Sequence, residues 1–226
     1  DRVGKKFIST GNGQGNLTNV QISQDFYDGN EKSFVLPAIQ KYGFNEIKDF
    51  YNFLGITLTI DDDGKAYPMS KQASSVLEVM RAYLDYKNTN IITNYFVTDI
   101  KKTDDGYILT SSMGEVICAK TILLCTGGEA QKQFGTDGNG YNLAKVFGHK
   151  ITPVYPSLVQ LKTDSPLIKG LRGLKADATV YAISNGKVVK SATGEVLFTD
   201  YGVSGNAIFK ISGYLSKAKN PEVKIS

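Results

Sequence analysis

Residues 116–149, VICAKTILLCTGGEAQKQFGTDGNGYNLAKVFGH, constrain the fold more than any other stretch of the chain. The segment opens with Ile117, Ala119, Ile122, Leu123, Leu124 and Cys125, an apolar run with little alternation. That pattern fits a strand buried on both faces, as in an α/β sheet, although periodicity alone leaves a buried helix segment open. Thr126-Gly127-Gly128 breaks the run, and because the two glycines lack Cβ the backbone there can approach a ligand or a neighbouring strand. Asp137-Gly138-Asn139-Gly140 then precedes Tyr141, Leu143, Ala144, Val146 and Phe147, whose spacing predicts a helix closed by Gly148. Strand, glycine turn and helix start together suit an anion or a cofactor. A tight packing turn explains the same glycines equally well.

Composition narrows the function classes. A chain of 226 residues can bury a substantial core in one large domain or two small ones, and 41% hydrophobic with 21% charged residues is ordinary for a globular protein. The formal charge of +4 comes from basic residues interspersed with acidic ones, which gives nucleic acid little support as a partner. No apolar run is long enough to span a membrane, and the polar N-terminal segment is not a signal peptide. Two cysteines do not make a secreted disulfide framework, so the expected compartment is a reducing cytoplasm. Cys118 and Cys125 are expected as buried structural thiols, and His149, the single histidine, as a structural residue beyond a helix end. Zinc is not expected, since no second histidine or cysteine stands at ligand spacing.

Along the chain, residues 5–9 read as a short strand entering the polar, glycine-rich loop 10–19. Helices are expected around Phe34 to Tyr42 and around Ile47 to Leu54, then a hairpin turning at Asp61-Asp62-Asp63-Gly64, with Pro68 at a strand end or sheet edge. The acidic triplet lacks the spaced ligands of a calcium loop, so it reads as a solvated turn. Ser70 is expected to cap a helix packed through Val76, Leu77, Val79, Met80 and Leu84. Strands are expected at 91–98, at 107–110 and at 116–125, the last returning to a parallel sheet. After Pro153 and Pro156 the pattern turns β-rich, with strands at 157–161, 178–183, 187–191, 196–198 and 207–211 and a hairpin signal at Asn185-Gly186.

The order CTGG, GTDGNGYNLAKVFGH, PSLVQL, GLRGLKADATV and GEVLFTDYGVSGNAIFKIS resembles the BaiN and aminoacetone-oxidase family of FAD-dependent flavoproteins. GKKFISTGNGQGNLTN resembles the same family's Lys-containing strand followed by Thr-Gly-x-Gly-Arg-Cys-Asn-Leu-Thr-Asn, with Gln14-Gly15 standing where the pattern has Arg-Cys. Asn206 likewise stands where the pattern has proline. The resemblance implies an internal part of a larger flavoprotein. The N-terminal GxGxxG is missing, since the Gly11, Gly13 and Gly15 spacing is not that fingerprint, and the segment that closes the flavin site is missing too.

On that basis the expected architecture is α/β: a partial FAD/NAD(P)-binding Rossmann-like domain over residues 1–156 and the start of a β-rich, barrel-like insertion domain over 157–226. The resemblance implies cofactor-side positions at Thr10, Gly11, Gly13, Asn16, the main chain at Val97, Thr126, Gly127, Gly128, Asp137 and Gly138. It implies FAD in the complete protein, weakly held by this stretch alone, admits NAD(P)H as reductant, and points to a small-molecule substrate. The implied chemistry is hydride or electron transfer through flavin N5. No residue is assigned as catalytic. The alternative is a catalytically inactive structural or interaction module that keeps its glycine turns for folding.

Overall fold

A computed structural model describes residues 3–29 and 31–226, and excludes the side chain of Lys169. The chain divides into two compact units, residues 1–148 and 149–226, so the Pro153 and Pro156 segment falls in the second. Every strand pair among the described residues is antiparallel.

The first unit opens with α1 (Lys5–Ile8), not the expected strand. Among the described residues no strand pairs with this segment, and its backbone closes local bonds instead, with Ile8 N–H donating to the Gly4 carbonyl. A tight turn at Thr10–Gly13 leads to β1 (Thr18–Asn19), and α2 (Leu36–Lys41) and α3 (Phe44–Phe53) follow where the apolar spacing places helices. β2 (Leu58–Ile60) and β3 (Lys65–Pro68) form the expected hairpin, with Pro68 as the last residue of β3. Its turn is closed by Asp61, whose Oδ1 accepts from Lys65 N–H at 2.8 Å. The Asp63 carboxylate, 2.7 Å from Lys65 Nζ, raises that ammonium above its ordinary pKa. β1 joins β3 on its other side, giving the order β1-β3-β2.

Next comes α4 (Ala73–Tyr86), which buries Ala73, Val76 and Leu77. Its N-cap is Gln72, not Ser70, but the Ser70 hydroxyl still accepts the Gln72 N–H at 3.3 Å. β4 (Val97–Thr103), β5 (Gly106–Ser111) and β6 (Val116–Ala119) form a meander. Two strand boundaries therefore move. Residues 91–96 are irregular, and the third strand ends at Ala119, so 120–125 is neither strand nor buried. Leu123 is 86% exposed, and both Cys118 and Cys125 are exposed, which corrects the expectation of buried thiols. An unbroken apolar run is a strand only where a neighbouring strand accepts its ladder, and none does so here. α5 (Asn139–Val146) completes the unit, and Gly148 follows it in the left-handed region at φ 82°.

Among the described residues the second unit is a five-stranded sheet with one α-helix and a short 3-10 helix at Pro166–Leu171. β7 (Leu161–Lys162) is shorter than the strand expected at 157–161. β8 (Lys175–Ser184) and β9 (Lys187–Phe198) pair through a turn at Asn185-Gly186, where both residues have positive φ of 48° and 73° as a two-residue hairpin requires. The two strands expected at 187–191 and 196–198 are thus one. β10 (Gly202–Ser204) and β11 (Pro221–Ile225) complete the order β11-β8-β9-β10-β7.

Residues 207–211, expected as strand, belong instead to α6 (Asn206–Leu215). The reason is periodicity over a longer window: Ala207, Ile208, Ile211 and Leu215 recur at helical spacing, and all are buried against Val180, Ala182, Val196 and Val203 of the sheet. Asn206 is the first helical residue, a position that also suits proline, so the exchange at this site preserves the helix start. Ser212 is fully buried; its hydroxyl accepts from Val159 N–H at 3.1 Å and donates to the Phe209 carbonyl at 2.9 Å. Ser212→Ala is expected to destabilise this unit by about 1 kcal/mol, because the Val159 N–H loses its acceptor. Urea denaturation monitored by tyrosine fluorescence measures it; an unchanged midpoint would show that the Val159 amide finds another partner.

Candidate functional site: three glycine-bearing turns in the first unit

The sequence-derived positions fall in three places, two of which pack on one another. In the first, Thr10 hydroxyl donates to the Phe7 carbonyl at 2.7 Å and fixes the turn directly after α1. Gly11 and Gly13 both have positive φ, 56° and 85°. A Cβ at Gly11 would lie 2.8 Å from Asn16 N and 2.9 Å from Tyr67 Cε1, so this glycine lets the turn close on itself. One at Gly13 would meet nothing within 4 Å, and Asn16 is exposed. Gly15, with φ 77°, lies so close to α4 that a Cβ would come within 3.0 Å of Ala73 Cα. No side chain, cysteine included, fits there without a shift.

The second and third places are the Thr126–Gly128 turn and the start of α5, and they pack on one another. A Cβ at Gly128 would lie 2.9 Å from Tyr141 Oη, and one at Gly127 would lie 3.0 Å from Thr136 Cγ2. Gly140, buried on α5, sits against Thr126 Oγ1 with no room for a methyl group. Gly138 forms the N-cap of α5 at φ 83°, and Asp137 Oδ1 accepts from Asn139 N–H at 3.0 Å. Main-chain N–H groups of Gly127, Gly128 and Gly138 show no hydrogen bond among the described residues.

Two residues not singled out from sequence hold the assembly together. Lys6 Nζ donates to the Ala130 carbonyl at 3.0 Å and to Thr136 Oγ1 at 3.2 Å, tying α1 and its turn to the loop before α5. Asn139 Nδ2 donates to the Val97 carbonyl at 2.7 Å, which fixes the start of β4 against the start of α5. The only sequence signals were a lysine one turn before the first glycine pair and an amide inside Asp-Gly-Asn-Gly. Among the described residues no group of three or more acidic, histidine or cysteine side chains gathers as a metal site.

Backbone donors at Gly127, Gly128 and Gly138 stand beside the start of α5, where Asp137 already bonds the Asn139 N–H and the Glu129 side chain lies against Gly138. The profile described as the HI0933-like protein Rossmann domain matches residues 1–213. The chain belongs to this family. HI0933-like membership makes the fold class α/β of Rossmann type, as expected from sequence, with the β-rich second unit attached.

Among curated relatives, the 3-dehydro-bile acid delta(4,6)-reductase of Clostridium scindens is 35% identical over 227 residues, covering 100% of this HI0933-like chain and 55% of the relative. The ribosomal RNA dihydrouridine synthase of Haemophilus influenzae is 24% identical, covering 99% of the chain and 56% of the relative. Its namesake from Escherichia coli is 26% identical, with 94% and 52% covered. The chain thus spans about half the length of the curated relatives it matches. Among the described residues, no helix is long and apolar enough to cross a membrane.

Proposed function

We propose that this chain is part of an FAD-dependent oxidoreductase that saturates a carbon–carbon double bond conjugated to a carbonyl group. The observation that carries the reading is the packing of the Thr126–Gly128 turn on the start of α5, tied to α1 by Lys6, with main-chain N–H groups at Gly127, Gly128 and Gly138 that make no hydrogen bond among the described residues. Thr10, Gly11, Gly13 and Asn16 would hold FAD from one turn. Thr126, Gly127 and Gly128 would hold it from another, and Asp137, Gly138 and the Val97 main chain from the start of α5. When bound, FAD supplies hydride transfer through N5. The protein's part is to orient the ring by fixed backbone donors and to hold Val97 in register through Asn139. The substrate class is supported by the relatives' names, because a dehydro-bile acid delta(4,6)-reductase and a dihydrouridine synthase both add hydrogen across such a bond.

Two relatives are named for ribosomal RNA, so a nucleic-acid substrate stands beside a small molecule in the test, notwithstanding the interspersed charge. The complete protein that carries this chain should be titrated with FAD. It should then be reduced with NADH or NADPH under nitrogen and offered an apolar conjugated ketone or a uridine-containing RNA. Reoxidation by one of them, with the saturated product found by mass spectrometry, supports the reading and selects the substrate. Saturable FAD binding without turnover of either would leave the structural or interaction role as the better account.

Gly128→Val is expected to raise the FAD dissociation constant at least about tenfold, a loss near 1.4 kcal/mol, while Cys125→Ala changes it less than about twofold. Valine at Gly128 meets Tyr141 Oη and moves a turn donor, whereas Cys125 is exposed and its thiol is not packed. Apo melting curves separate this from misfolding. Equal affinities in both variants would remove the Thr126–Gly128 turn from the cofactor site.

A further inference from the structure

The formal charge of +4 is not shared evenly between the two units. Residues 149–226 carry eleven lysines and arginines against five carboxylates, whereas residues 1–148 carry fifteen against seventeen, so the second unit is the cationic one. Four of its lysines gather at one end. Lys187 opens β9 opposite Ser184, and Lys190 stands opposite Ala182. The loop that carries Lys217 and Lys219 is tied to the same hairpin, because the Lys219 carbonyl accepts from Asn185 N–H at 2.9 Å and from Ser184 Oγ at 3.2 Å. Asn220 Nδ2 adds a bond to Asn185 Oδ1 at 3.0 Å. All four lysines are exposed, and none makes an ion pair among the described residues. Glu222, the carboxylate nearest to them in sequence, pairs with Ile183 and so lies on the sheet face away from Ala182 and α6. Two tyrosines sit under the ammonium groups: Lys190 Nζ is 5.2 Å from the Tyr214 ring centroid, and Lys217 Nζ is 5.3 Å from that of Tyr155. Cations suit the carbonyl end of α6, which accounts for Lys217 and Lys219. It does not account for Lys187 and Lys190, which stand on β9.

We propose that this end of the second unit docks single-stranded RNA, with the four lysines on phosphates and the Tyr155 and Tyr214 rings against bases. Unpaired lysines release counterions from a phosphate chain, and aromatic rings set among them give unstacked bases a surface, a combination that single strands satisfy and duplexes do not. An acidic protein surface would meet the charge and leave the rings unused. The hairpin exposes two valines, Val188 and Val189, a smaller apolar face than insertion at a lipid surface uses. The inference deepens the RNA arm of the function proposed above and takes from that reading the choice of RNA over DNA.

The probe is a fluorescein-labelled, uridine-rich RNA of about 16 nucleotides, titrated with the 226-residue chain without FAD and followed by anisotropy. Binding should be saturable at low salt. Lys187→Gln, Lys190→Gln, Lys217→Gln and Lys219→Gln together should weaken it at least about tenfold. They should also reduce the slope of log K against log salt by about 3, since each phosphate contact on a single strand contributes about 0.7. Lys48→Gln, Lys101→Gln, Lys102→Gln and Lys120→Gln together remove the same charge from exposed positions of the first unit and should leave affinity within about threefold. Tyr155→Leu should cost at least about fivefold with the salt slope unchanged, because a stacking surface is lost and no charge is. All these changes are at exposed residues, and melting curves verify that each variant folds. Absence of saturable binding, equal loss in the two lysine sets, unchanged affinity in Tyr155→Leu, or tighter binding to phosphatidylcholine–phosphatidylserine vesicles than to the RNA would each overturn the proposal. The functional reading fails separately. A complete protein that binds RNA through these lysines but reduces neither offered substrate refutes that reading and supports this surface, whereas uridine reduction insensitive to the four lysine changes does the reverse.

Discussion

Gly140→Ala is expected to destabilise the first unit by about 2–3 kcal/mol, although alanine is intrinsically favoured over glycine in a helix by about 1 kcal/mol. The sign reverses because Gly140 is buried on α5 directly against Thr126 Oγ1, and a methyl group there displaces the turn that carries Gly127 and Gly128. Thr126→Gly removes the opposing side chain. In that background Gly140→Ala should cost less than about 0.5 kcal/mol or become stabilising, so the two changes are strongly non-additive. Urea titrations of the four proteins in the cycle measure this. Additivity within about 0.5 kcal/mol would mean that the turn and the helix start do not depend on each other.

The second unit should respond even more sharply at its centre. Ile211→Asp is expected to lower its stability by more than about 4 kcal/mol, since Ile211 is fully buried between α6 and the sheet and an unpaired carboxylate has no partner there. Ile211→Ala should cost about 2–5 kcal/mol through lost burial and a residual cavity. Val188→Asp, on the exposed part of β9, should stay within about 0.5 kcal/mol. Hydrogen exchange followed by mass spectrometry reports residues 149–226 separately. Retained protection across β8 and β9 in Ile211→Asp would show that the sheet holds without its helix.

Much of the fold was legible where a local signal sufficed. The helices at Phe44–Phe53, Ala73–Tyr86 and Asn139–Val146 follow from apolar spacing and closing glycines, and the hairpins at Asp61 to Gly64 and Asn185-Gly186 follow from turn chemistry. The failures share a cause. Residues 5–9, 91–96 and 120–125 have strand-like composition, but a strand is completed by a neighbour's hydrogen bonds, which composition does not reveal. Residues 207–211 failed differently, because five residues are too short a window to separate period two from period 3.6, whereas Ala207 to Leu215 settles it.

For the candidate site, the glycines were legible and their partners were not. Gly127 and Gly128 read as places of close approach, but what approaches them is Thr136 and Tyr141, which no spacing rule connects. Gln14-Gly15 stands where the family pattern has Arg-Cys. The contact with Ala73 adds a steric reason for glycine at 15.

The Lys6 bridges also set an order of assembly. The β4-β5-β6 meander closes loops of only a few residues and can form early, whereas Lys6 reaches acceptors 124 and 130 residues further along the chain. On a ribosome the first glycine turn therefore waits, without those two anchors, until Thr136 has emerged. The turns become a joint feature only near the end of the unit's synthesis, and a nascent chain halted before Thr136 has helices and hairpins but lacks the Lys6 bridge to Thr136.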